Sequence, residues 1–74
     1  MKANTSYIYA DKAAWPELLG AEGKIAAAAI ERENPLVKAV IVPIEAIVID
    51  DFVCYRVRVR IDKSGIVVKV PVAG

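Results

Sequence analysis

Val37-Lys-Ala-Val-Ile-Val42, Pro43-Ile-Glu-Ala-Ile-Val-Ile-Asp-Asp-Phe-Val-Cys54 and Tyr55-Arg-Val-Arg-Val-Arg-Ile-Asp62 follow one another without a break, and their different patterns decide the fold. The first run is almost continuously apolar, which predicts a strand buried on both faces. The third alternates strictly: Val57, Val59 and Ile61 face one way, Arg56, Arg58 and Arg60 the other. The segment between them carries neither glycine nor asparagine, and it is far longer than a hairpin turn requires. A long excursion without turn chemistry between two strands is a candidate binding loop.

Upstream, residues 22–33 have helical composition, with Ile25, Ala26, Ala29 and Ile30 at helical spacing on one face. Asn34-Pro35 stops that helix, since the residue before proline disfavours helical geometry. Trp15-Pro16-Glu17-Leu18-Leu19-Gly20 supplies a large aromatic anchor, a proline-fixed turn and a glycine break, so Trp15 is expected in the core. Residues 1–11 carry no strong pattern and read as a flexible tail, with Tyr7-Ile8-Tyr9 as a possible short strand. Downstream, Lys63-Ser64-Gly65 is a turn, and Ile66 to Val70 is expected to return as a strand that Pro71 places at an edge. The pattern is α+β: one amphipathic helix and a small sheet in a single domain over residues 12–74.

A chain of 74 residues is near the lower size limit for folding alone. It has one cysteine, Cys54, and no histidine, so neither an intrachain disulfide nor a structural zinc site is available. The core must suffice, and 57% hydrophobic residues make that feasible while leaving apolar side chains exposed, the mark of an interface. A net charge of +1 gives no bulk drive toward nucleic acid or an anionic membrane. No apolar run is long enough for a membrane span, because Pro43 and Glu45 interrupt the longest one. The N-terminus lacks the apolar core of a signal peptide, and the chain is expected to be soluble.

Catalytic chemistry finds no footing. The commonest general base is absent, Cys54 has no histidine to activate it, and Ser6 and Ser64 sit in a tail and a turn. Asp50 and Asp51 are adjacent, so in an extended loop they point to opposite sides. No glycine-rich phosphate loop occurs, and neither a cofactor nor a metal is implied. Cys54 itself reads as a small buried hydrophobe. The arginine stripe admits three readings: a solvated strand face, a nucleic-acid stripe short of stacking aromatics, or a clamp for the carboxylates just upstream.

The ordered set Trp15-Pro16-Glu17-Leu18-Leu19-Gly20, Ile30-Glu31-Arg32-Glu33-Asn34-Pro35, Val40-Ile41-Val42-Pro43, Arg56-Val57-Arg58-Val59, Asp62, and Val70-Pro71 to Gly74 resembles the potato inhibitor I family of small serine protease inhibitors. The resemblance covers residues 12–74, without a gap from Trp15. It implies a helix packed on a mixed parallel and antiparallel sheet, with the first two strands parallel and the long loop between them binding the protease. Laid on the family pattern, Val48, Ile49, Asp50, Asp51, Phe52 and Val53 form that loop. Asp50 enters the protease specificity pocket, Asp50–Asp51 is the reactive bond, and Arg56 and Arg58 brace Asp51. The implied mode is substrate mimicry of a serine endopeptidase, either subtilisin-like or preferring acidic residues. The chain departs from the family at Ile49, where threonine is common, at Val53, where arginine is common, and at Tyr55, where aspartate is common. A second reading is a non-inhibitory or redesigned scaffold that forms a homo-oligomer, by dimerisation or domain swapping, through the apolar loop.

Overall fold

The computed structural model describes residues 12–74. The suggested strand Tyr7-Ile8-Tyr9 and the tail reading of residues 1–11 lie outside that range. A short 3-10 turn at Pro16–Leu18 leads to helix α1, Gly23–Glu33. Strands β1, Lys38–Pro43, and β2, Arg56–Ile61, pair in parallel, and β3, Val72–Ala73, adds antiparallel to the other side of β2. The sheet order is therefore β1-β2-β3.

The alternation of β2 organises the interior. Val57 and Val59 are fully buried and meet Trp15, Ala26, Ile30 and Val67 in the core. The parallel register sets Ala39 beside Val57 and Ile41 beside Val59, and Val40 beside Arg58 and Val42 beside Arg60. Paired residues in a sheet share a face. One face therefore packs on α1 and the other carries the arginines. Helix α1 begins where Glu22 leaves extended backbone and ends at Asn34, whose N–H donates to the Ile30 carbonyl at 2.9 Å. Asn34 is buried and satisfied: its Oδ1 accepts from Leu36 N–H at 3.1 Å and its Nδ2 donates to the Lys12 carbonyl at 3.1 Å. Trp15 Nε1 donates to Glu33 Oε1 at 3.0 Å, and Lys12 Nζ reaches the same oxygen at 2.9 Å and Glu17 Oε2 at 2.7 Å. That knot ties the start of the domain to the end of α1.

Four expectations need correction. Ile25 is exposed, because the helix buries Gly23, Ala26, Ala29 and Ile30, and Ile25 falls off the edge of that stripe. β1 is not buried on both faces: among the described residues it is an edge strand, with Val40 and Ile41 partly open to solvent. Residues 66–70 do not form a continuous strand. Val67 N–H donates to the Ala21 carbonyl and Val68 N–H to the Arg60 carbonyl, so the segment divides its bonds between two neighbours, and regular pairing resumes at Val72. Cys54 is exposed, in the turn that delivers the chain to β2.

Candidate functional site: the braced loop

The parallel pairing fixes the course of the loop. β1 ends at one end of the sheet and β2 starts at the other, so residues 44–55 must travel back along the strands. They begin with a turn closed by Ala46 N–H to the Pro43 carbonyl at 3.0 Å, and end with one closed by Arg56 N–H to the Val53 carbonyl at 3.0 Å. Between these turns, residues 47–52 make no backbone-to-backbone hydrogen bond among the described residues. None of them has a positive φ. The segment is held by side chains alone.

Those side chains are the arginines of β2, taken in reverse order because loop and strand run oppositely. Arg60 Nη2 donates to the carbonyls of Pro43, Ile44 and Ala46 at 3.2, 3.0 and 3.0 Å. Arg58 Nη2 reaches the Ile49 carbonyl at 3.1 Å and Asp51 Oδ1 at 3.2 Å. Arg56 Nη2 reaches Asp51 Oδ1 at 2.9 Å and the Asp51 carbonyl at 3.3 Å, while its Nε donates to the Gly74 backbone oxygen at 2.8 Å. The hydrogen bond from Arg56 and the charge behind it, with a further hydrogen bond from Arg58, hold the Asp51 carboxyl below the usual aspartate range. Both arginine side chains are largely covered, and that of Asp51 is more open.

Asp50 is exposed and makes no hydrogen bond or ion pair among the described residues. It sits between two tethered neighbours, Ile49 through its carbonyl and Asp51 through carbonyl and carboxylate. The flanking apolar side chains project outward: Ile47 is 99% exposed, Ile49 75% and Phe52 73%. Val48 and Val53 are half-buried. Ile49 offers no side-chain acceptor, and its backbone oxygen is the atom that meets Arg58. Tyr55 is exposed in the turn before β2 and takes no part in the brace. Phe52 lies against Gly74: a Cβ placed on that glycine would stand 3.5 Å from its ring.

Two participants escaped the sequence reading. Arg60 was visible as the third member of the stripe, but its partners are backbone oxygens, which sequence does not mark. Gly74 lies eighteen residues from Arg56, too far in sequence for any local pattern to join them. No group of three or more histidine, cysteine, aspartate or glutamate residues able to hold a metal ion occurs among the described residues.

Comparison with known proteins yields a consistent result. The sequence model of the Potato inhibitor I family matches residues 7–74. The Glu S.griseus protease inhibitor of Momordica charantia is 51% identical over 63 residues, covering 85% of this chain and 93% of that protein. The inhibitor of trypsin and hageman factor from Cucurbita maxima is 49% identical over 63 residues, with the same shares covered. The crystal structure of bitter gourd trypsin inhibitor matches with a TM-score of 0.84 at 48% identity, over 85% of this chain and 93% of that one. These relatives are named as inhibitors and not as enzymes, their fold is the one described above, and the chain belongs to the potato inhibitor I family of protease inhibitors.

Proposed function

We propose that the chain inhibits a serine endopeptidase by substrate mimicry, presenting Val48 to Val53 in the protease cleft with Asp50–Asp51 as the reactive bond. The observation that carries this reading is the untethered Asp50 between two tethered neighbours, Ile49 and Asp51. Residues 47–52 keep their backbone groups free of other backbone, as strand-like pairing with a cleft requires. The protease serine attacks the Asp50 carbonyl carbon, and the Asp51 nitrogen is the leaving group. With Asp51 gripped by Arg56 and Arg58, the released amine stays beside the acyl carbon, where re-forming the peptide bond competes with water. A loop ordered before binding also loses less freedom on docking.

The side chain at the pocket narrows the partner. Burying the Asp50 carboxylate in an apolar pocket is costly, whereas a pocket lined with basic groups accepts it. That chemistry favours a protease preferring acidic residues, and the relative named Glu S.griseus protease inhibitor supports the choice. A subtilisin-like enzyme is the other candidate, supported by the Amaranthus caudatus relative named trypsin/subtilisin inhibitor, 47% identical over 60 residues. The relatives' names give the self-associating scaffold no support.

The test is inhibition of subtilisin and of a Glu/Asp-preferring endopeptidase, followed over several preincubation times with mass spectrometry of the chain. Lasting inhibition, with any slow cut between Asp50 and Asp51, is the expected result. Inhibition that fades while the loop is cut elsewhere would reject the reactive bond, and no inhibition of either enzyme would reject the reading.

A further inference from the structure

We propose that Arg60 is a positioning residue that fixes the outgoing end of the loop, so that the half preceding the reactive bond is held at its origin as well as at Ile49. The functional consequence rests on the inhibitor reading, whereas the structural role does not. Arg60 differs in kind from the other two arginines. Arg56 and Arg58 share the Asp51 carboxylate, but Arg60 has no carboxylate within ion-pair distance among the described residues. Its Nη2 is instead surrounded by the carbonyls of Pro43, Ile44 and Ala46, all within 3.2 Å. Its Nε is buried with no partner among the described residues. A buried donor left unpaired is unfavourable, so the side chain is held in this pose by what Nη2 gains from three carbonyl dipoles.

Those three carbonyls belong to the turn from which the loop departs. Apart from Arg60 and the strand pairing of Pro43, two backbone bonds among the described residues secure that turn, Ile44 N–H to the Ile61 carbonyl at 2.7 Å and Ala46 N–H to the Pro43 carbonyl at 3.0 Å. Ile47 follows at once, fully open to solvent. A hinge here would loosen residues 47 and 48 and leave the half of the loop that precedes the reactive bond on the Arg58–Ile49 contact alone, while Asp51 stayed on Arg56. The two sides of the bond would then lose their alignment. By gathering the turn's oxygens, Arg60 removes that freedom.

The experiment compares wild type with Arg60→Met, which keeps the stem and removes every donor, and Arg60→Lys, which restores a cationic donor. The first readout needs no protease: nitrogen-15 relaxation of residues 45–49, with Val57 and Val59 amides as reporters of the core. Loosening confined to 45–49 in Arg60→Met, partly reversed in Arg60→Lys, is expected. Unchanged relaxation in a folded Arg60→Met overturns the proposal, as does equal loosening of loop and core. If Arg60→Met does not fold, Arg60→Lys decides alone, with mild loosening confined to 45–49 expected and uniform behaviour overturning the idea. The second readout is the rate of cutting at Asp50–Asp51 by the inhibited protease, expected to rise about tenfold in Arg60→Met through kcat, with KM little changed. A cutting rate equal to wild type overturns the functional part. A wild type that inhibits nothing defeats the inhibitor reading, yet leaves the relaxation result to judge Arg60 separately.

Discussion

Asp51 Oδ1 is a single oxygen serving two guanidinium groups, and this concentrates much of the returning half of the brace on one ionisable group. Its pKa is lowered in the folded protein, chiefly by the hydrogen bond from Arg56. With the folded value below the unfolded one, the stabilisation is complete above the ordinary aspartate range and is lost as pH falls through the folded value. Titration of the Asp51 side-chain carbon by NMR should give a midpoint below 3.8, and loop relaxation rates should change with the same midpoint. Arg58→Ala should leave the fold intact yet make the loop a faster substrate, because the Ile49 carbonyl and half of the Asp51 grip go together. Unchanged cleavage kinetics would reject the bracing role of Arg58. A different residue-scale constraint sits at Gly23, where an added Cβ would lie 2.8 Å from Ile61 Cγ2 and 3.4 Å from the Gly65 carbonyl oxygen. Gly23→Ala should therefore destabilise the protein, by about 1–2 kcal/mol in chemical denaturation, despite alanine's better helix propensity.

At the scale of elements, the exposed edge of β1 is the hazard and Glu31 its guard. An edge strand offers unpaired N–H and C=O groups to any other chain. The side chain of Glu31, in the last turn of α1, accepts the Ala39 N–H at 2.8 Å. By alternation the next outward N–H is that of Ile41, and the one after is missing because residue 43 is proline. Glu31→Val should open this edge, and light scattering at rising concentration should show mass growth beyond that of wild type. The same elements show what can be read in advance. The strict alternation of Arg56 to Ile61 announced both the buried valines and the arginine face, since a period of two leaves no freedom of face. Trp15 and Asn34-Pro35 were equally legible, one by bulk and the other by steric rule. The segment 66–70 was not, because its bonds go to Ala21 and Arg60, choices made by tertiary neighbours and not by its own apolar composition. For the same reason the apolar run 37–42 looked doubly buried: Val, Ile and Ala fit an interior strand and a half-covered edge alike. The nearness of Asp51 to two arginines could be guessed from charge, but the hold on Pro43, Ile44 and Ala46 could not.

Across the whole molecule, the parallel pairing of β1 with β2 divides the chain unusually. Everything before the loop, including Trp15, α1 and β1, lies in one stretch, while β2 and β3 lie in the other, and the core needs both. Trp15, Ala26 and Ile30 come from the first, Val57, Val59 and Val67 from the second. A cut at Asp50–Asp51 would therefore not trim a loose appendage; it would turn a unimolecular fold into a two-body association. Unfolding of the cut form would release two particles where the intact chain releases one, so its melting temperature should climb with protein concentration while that of the intact form stays fixed. Fluorescence of Trp15, the chain's single tryptophan, would report the event, being buried only while the pieces remain together. Dilution, harmless to the intact molecule, becomes the slow route by which a spent one falls apart.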